Sequence, residues 1–264
     1  MADRRHRKYK EILVIPDAHA KPDEPNDRFE WLGNFIVEKQ PDVIVDIGDS
    51  ADMPSLSRFD VGNIHSEGKR YADDLAAYHD AMEKMFKPIR EYNDSMTRNK
   101  KAKYYPRLVK TRGNHEHRII RAATEEPKYW GFVKIEDLKE RDYGWECYDY
   151  LQPVEIEGIC FQHTFTSGVM GRPIGGEHHA ANLVKKNFMS SVCGHSHTRD
   201  FWETTDAMGR KRFGLVVGCY FEHDEHYTSE NSRFWRGLYY LHDVRDGMAE
   251  PTPFEIDYIR RKYG

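Results

Sequence analysis

The sequence predicts an α/β protein whose second half turns mostly to β-structure. Three observations carry this. The first half holds three short continuous apolar runs, each ending in a polar turn: "EILVIPDAHA", "PDVIVDIGDS" and "PRLVKTRGNH". Such runs fit strands buried on both faces. Between the first two, Phe29, Leu32, Phe35 and Ile36 recur at helical spacing, with Asn26 or Asp27 placed as N-cap. Strand, helix and strand in that order form a parallel pair with a right-handed crossover. The second half instead carries short strand-like runs separated by turn residues.

The remaining elements follow in order. A long insertion, 53–105, separates the second and third strands. Its middle, "KRYADDLAAYHDAMEKMFKPIREY", places Tyr71, Leu75, Tyr78, Met82, Met85, Phe86 and Ile89 on one face, an amphipathic helix whose stripe packs against a core. "TEEPKYWGF" marks a break, and 133–140 reads as a short helix. "LQPVEIEGICFQHTF" reads as two strands around Glu157 and Gly158, "HAANLVKKNFM" as a helix, and "SSVCGHSH" as a short strand running into a polar turn. "RDFWETTDAMGRKRFGLVVGCY" has the shape of a hairpin around Met208 and Gly209, and "RGLYYLHDV" and "PTPFEIDYI" read as closing strands. No repeat, low-complexity segment or Gly/Ser linker divides the chain, so 1–264 is expected to be a single domain.

The bulk numbers exclude several classes. With 264 residues, 39% of them hydrophobic and 13% aromatic, the chain can bury a sizeable core and is not disordered. A net charge of −4 gives no global attraction to nucleic acid, so any such binding must come from a local patch. Cys147, Cys160, Cys193 and Cys219 lack C-x-x-C spacing, which argues against a disulfide framework or a thiolate zinc site and for reduced thiols. The apolar part of the N-terminal run, 12–16, is far shorter than a signal core or a membrane span. A soluble, cytoplasmic protein without a membrane partner is expected.

Polar clusters recur where the buried strands end: Asp17 and His19, Asp49 and Asp52, Asn114 and His115, then His163, then His195 and His197. Ligands of open parallel sheets gather at the carboxyl ends of strands, so these clusters are expected to meet. Together they hold carboxylates, imidazoles and one carboxamide, with no thiolate. Hard oxygen donors with imidazole suit Mn, Fe, Zn or Ni. The set is too large for one tetrahedral ion and suffices for two divalent ions sharing a bridging carboxylate, the usual device for in-line displacement at phosphorus.

The series D-x-H, G-D-x-x-D, G-N-H-E, a lone His and G-H-x-H resembles the calcineurin-like metallophosphoesterase superfamily, from Asp17 to His197. The resemblance implies a four-layer α/β/β/α sandwich, with two mixed β-sheets flanked by helices, and a helical cap formed by the insertion. It implies two metal ions, Mn foremost. Asp17, His19 and His197 would hold the first, Asn114, His163 and His195 the second, and Asp49 would bridge them together with a water or hydroxide. His115 would be the general acid and Asp52 its orienting partner. Arg112, in "RGNHE", is a candidate phosphate contact. Three positions depart from the pattern: Gln162 precedes the lone histidine, Met53 stands where protein phosphatases of this superfamily carry an arginine, and Ala20 replaces a glycine.

The function these features predict is metal-dependent phosphoester hydrolysis, with a phosphodiester, DNA or RNA foremost, as substrate. The alternatives are a phosphomonoesterase acting on a small molecule or a phosphoprotein, and a noncatalytic metal-binding scaffold. The glycine-rich stretch 168–179, with Arg172, Glu177, His178 and His179, reads either as a mobile substrate loop or as a plain helix entry. "RRHRKYK" reads as a solvated tail. "RNKKAKYYPRLVKTR", with Lys100, Lys101, Lys103 and two tyrosines, is a candidate nucleic-acid stripe. It precedes the third strand and so stands roughly 20 Å from the site at that strand's far end.

Overall fold

Alternate side chains of the first apolar run point in opposite directions. Ile12 and Val14 pack into one core and Leu13 and Ile15 into another, the period-2 consequence of a strand covered on both faces. The computed structural model describes residues 9–59, 62, 64–226 and 228–264, so most of "RRHRKYK" lies outside the described residues. In chain order the elements are β1 (Lys10–Ile15), α1 (Asp27–Lys39), β2 (Val43–Asp46), α2 (Tyr71–Arg98), β3 (Arg107–Thr111), α3 (Asn114–Glu125), β4 (Glu146–Tyr148), β5 (Val154–Ile156), β6 (Ile159–Phe161), β7 (Thr166–Ser167), β8 (Arg172–Pro173), α4 (His179–Asn187), β9 (Ser190–Cys193), β10 (Arg199–Thr205), β11 (Lys211–Val217), β12 (Gly237–Arg245), β13 (Met248–Glu255) and α5 (Ile256–Tyr263).

Two mixed sheets form the middle of the molecule. One has the order β13-β12-β1-β2-β3-β4, with β1 to β4 parallel and β12 antiparallel to β1. The other has the order β10-β11-β9-β6-β5, with β9 parallel to both β6 and β11. Ile12, Val14, Val45 and Val109 of the first meet Phe161, Val192, Leu215 and Val217 of the second in a shared core. The outer face of the first sheet is covered by Phe29, Leu32, Phe35 and Ile36 of α1, by the α2 stripe, and by Ile256 and Ile259 of α5. The outer face of the second is covered by Ala180 and Leu183 of α4. The result is the four-layer α/β/β/α arrangement with two mixed sheets.

The insertion divides in two. Tyr78, Met82, Met85, Phe86 and Ile89 of α2 are buried in the same core as α1, so this helix is a member of the outer layer. Before it, Pro54, Ser57, Phe59 and residues 67–70 reach the cleft above the site, joined by Asp73 from the first turn of α2. Three local readings are corrected. "PTPFEIDYI" is strand only through Glu255 and then becomes α5, because Ile256, Ile259 and Tyr263 recur at helical spacing and settle beside α1. The strand β4 is additional. So is α3, whose buried face is His115, Glu116 and Ile119, with only one apolar residue to betray it. Asn26 does not cap α1 with its side chain, which instead donates to the Ala77 carbonyl and Asp80. No helix among the described residues is long and apolar enough to cross a membrane.

Candidate metal centre

The turns after β1, β2, β3, β6 and β9 all open on one edge of the sandwich. Their geometry is tight. A Cβ on Gly113 would stand 2.0 Å from Asp49 Oδ1, and one on Gly194 2.1 Å from Asp17 Oδ1, so each glycine lets a carboxylate lie against the backbone of the next turn. His19, Asp49, Met53, His195 and His197 all take positive φ, between 43° and 70°. Left-handed backbone costs a non-glycine residue about 1 kcal/mol or more, and five such residues in one place mark a site where side-chain direction outweighs backbone comfort.

Beneath these turns lies a supporting network. The Glu116 carboxylate accepts the N–H groups of Gly113 (2.8 Å), Asp49 (2.9 Å), Ser50 (2.8 Å) and Ala51 (3.2 Å). Lys110, fully buried, donates to Asp46 at 2.9 Å and to the Ser50 hydroxyl, and lies 3.4 Å from Glu116 and 3.7 Å from Glu140. These carboxylates hold the Lys110 ammonium well above its usual pKa despite its burial. A buried charge is tolerable only when paired in this way.

The seven expected ligands come together. Asp17, His19 and His197 form one group of donor atoms, and Asp49, His163 and His195 another. His197 Nε2 is 3.2 Å from Asp17 Oδ2. His163 Nε2 lies 3.2 Å from Asp49 Oδ2, 3.1 Å from Asn114 Oδ1 and 3.3 Å from His195 Nδ1. Asp49 Oδ2 is also 3.9 Å from His19 Nε2, so this carboxylate stands between the groups. Backbone contacts aim the donors: Asp17 accepts the His195 N–H at 2.9 Å, and His163 Nδ1 donates to the Ile47 carbonyl at 3.1 Å, which leaves its Nε2 toward the cluster.

The residues fit divalent cations on their own chemistry. His19 Nε2 is buried without a hydrogen-bond partner, an orphan pointing into the cluster. Asp17 and Asp49 are buried side by side. Burial alone would raise the Asp49 carboxyl, but His115, His163 and His19 outweigh it and hold it well below the ordinary range. Burial lowers His163, yet Asp49 and Asp17 prevail and bring it up to about 9, whereas burial and the neighbouring His163 push His195 down to about 4. The cluster calls for positive charge, and metal ions would supply it in place of protons.

His115 sits beside both groups. Its Nδ1 donates to Asp52 Oδ1 at 2.6 Å, and its Nε2 is 3.8 Å from Asp49 Oδ2. Burial lowers its basicity and Arg118 opposes protonation, but Asp49 and Asp52 overcome both and raise its pKa. Three residues to which the sequence reading gave no role belong here. Glu116 is one. Glu225 accepts from His19 Nδ1 at 3.1 Å and stands 2.9 Å from His223 Nε2, which turns His19 Nε2 toward the cluster. No sequence pattern announces Glu225, which lies 206 residues from its partner. Arg118 is the third, one helical turn beyond His115, a spacing visible once α3 is drawn.

Arg112 is not brought to the site. Its guanidinium is taken by Glu140 (2.8 Å) and Asp149 (2.6 Å). A cleft of about 930 Å³ opens above the cluster, lined by Asp49, Asn114, His115, Arg118, His195 and His197 on its floor and by Phe59, Lys69 and Arg70 of the insertion on one wall. Among the described residues, none from 168–179 lines it. Those residues form the exposed β7–β8 hairpin and the entry to α4, where His179 packs 3.6 Å from Cys193. Of the two tyrosines in the basic stripe, Tyr104 is buried and donates to the Pro41 carbonyl, leaving Tyr105 exposed.

No protein-family model matches the chain, and no curated protein matches it. Among solved structures it is similar to a conserved uncharacterized protein, a predicted phosphoesterase, from Streptococcus pneumoniae TIGR4, at 11% identity and a TM-score of 0.34, over 94% of this chain and 99% of that one.

Proposed function

We propose that the protein is a metal-dependent phosphoester hydrolase, and within that class a phosphodiesterase whose leading substrate is a nucleic acid. The observation that carries the class is the meeting of two donor groups at Asp49, with the His115–Asp52 pair beside them at the floor of one cleft. Asp17, His19 and His197 would hold one divalent ion and Asn114, His163 and His195 the other, with Asp49 shared. Ions bound there would polarise the phosphoryl oxygens and bring the pKa of a water toward neutrality.

The chain's own residues supply the rest. Asp52 fixes the tautomer and direction of His115, and His115 Nε2 donates its proton to the leaving-group oxygen as the P–O bond breaks. Glu116 keeps the Asp49 turn rigid, so the carboxylate does not relax as charge develops. A noncatalytic scaffold has no use for the raised basicity of His115 or for its 2.6 Å bond to Asp52. The cleft is several times larger than a phosphate group needs, which supports a substrate continuing past the scissile bond. Lys69 and Arg70 on its wall are closer cations than Lys100, Lys101 and Lys103, which precede β3 at the opposite end of the strand.

The test is hydrolysis by Mn²⁺-loaded protein of bis-p-nitrophenyl phosphate, p-nitrophenyl phosphate and single- and double-stranded oligonucleotides. The diester and the oligonucleotides should be cleaved, the latter with steep salt dependence. Preference for the monoester would move the protein to the phosphomonoesterases, and inertness toward all of them would remove the hydrolase reading.

A further inference from the structure

Arg118 stands on α3 one turn after His115, and its side chain is only 12% exposed. Its guanidinium is anchored through Nη1, which also stands 3.7 Å from the Asp52 carboxylate. Nη1 donates to the carbonyls of Asp52 (2.9 Å) and Met53 (3.4 Å), which pins the fork to the turn after β2. Nη2 lines the cleft and donates one of its two N–H groups to His115 Nε2 at 3.1 Å. The two nitrogens therefore lie side by side at the floor of the cleft. A guanidinium Nη carries two N–H groups, so Nη2 can serve His115 and an oxygen in the cleft together, each at ordinary hydrogen-bond distance. An arginine edge is suited to an anionic oxygen because its charge is permanent and its N–H directions are fixed.

We infer that Arg118 is a substrate-binding residue whose Nη2 holds a phosphoryl oxygen next to the leaving group, with His115 Nε2 on the same oxygen cluster. The inference rests on the hydrolase reading and adds to it the cation that Arg112, paired with Glu140 and Asp149, cannot provide. The anchoring of Nη1 matters as much as the charge. A guanidinium already held by two main-chain carbonyls loses little freedom when substrate arrives. A lysine at the same position would keep charge but could not serve the carbonyls and the phosphoryl oxygen together.

The experiment is binding of inorganic phosphate to the Mn²⁺-loaded full chain, by calorimetry, for the native protein, Arg118→Gln and Arg118→Lys, with bound metal measured in each. At unchanged metal content, Arg118→Gln should weaken phosphate binding by about 10- to 100-fold, the scale of a lost charge-assisted hydrogen bond. Arg118→Lys should recover part of that loss. In turnover, KM for bis-p-nitrophenyl phosphate should rise by a similar factor. If Arg118→Gln binds phosphate as the native protein does, the inference is overturned and the hydrolase reading stands. If Arg118→Gln instead loses bound metal, Arg118 supports the turn rather than the substrate, and the inference fails. If the native loaded protein takes no phosphate, the inference is overturned, while the hydrolase reading is decided by the turnover assay.

Discussion

In the proposed hydrolysis the chemistry turns on His115, and its position follows from its neighbours. Its N–H is accepted by Asp49 Oδ1 at 2.8 Å, and its ring is held by Asp52. The backbone thus ties it to the carboxylate shared by the two donor groups, while the side chain donates to neither group. His115→Ala is expected to retain bound metal and lower turnover by roughly 10²- to 10⁴-fold. The loss should shrink when the leaving group is p-nitrophenolate, which departs readily without a proton. Metal analysis beside kinetics on substrates with poorer leaving groups checks this, and a variant that sheds its metal would make His115 a ligand. At this scale the sequence named the side chains that the structure gathers and missed their supports. D-x-H, G-N-H and G-H-x-H are local strings, and a strand end followed by a turn gathers them. Glu225 reaches His19 from another part of the chain, and Arg118 comes into view only once α3 is drawn, whereas Arg112, the arginine the motif offered, pairs with Glu140 and Asp149.

Among the elements, α3 shows why hydrophobic periodicity has a limit. Its inward face carries His115, Glu116 and Ile119, so the stripe that would reveal a helix is written in functional side chains. Gly113 before it and Glu116 three residues on were the available signal. The apolar runs of β1, β2 and β9, by contrast, were legible because each is buried on both faces. The end of β13 misled because Phe254 and Ile256 continue a strand-like alternation into a helix. The strand β3 depends on Lys110, which faces carboxylates of β2, α3 and the segment before β4. Lys110→Ala should leave Asp46 and Glu116 buried without their cation, while Glu140 keeps Arg112, at a cost of about 3–5 kcal/mol. Denaturant titration of the native and variant proteins measures this, and a loss below about 1 kcal/mol would show that the carboxylates find another partner or take up protons at little cost.

For the whole molecule, the two sheets matter because each supplies part of the cluster. Asp17, His19, Asp49 and Asn114 follow strands of the first sheet, and His163, His195 and His197 follow β6 and β9 of the second. Neither donor group belongs to one sheet alone, so a complete site requires the shared core of Ile12, Val14, Phe161 and Val192 to hold the sheets in register. The four layers were anticipated from the motif series and not from periodicity, which gives elements but not the stacking of one sheet on another. The central claim is that Asp49 joins two metal sites into one centre. Its most direct measurement is the number of Mn²⁺ ions bound per chain at saturation, in the native protein and in Asp49→Asn. The account predicts two ions in the native chain and the loss of at least one in the variant. A single ion in the native chain, or two ions undisturbed in Asp49→Asn, would contradict it.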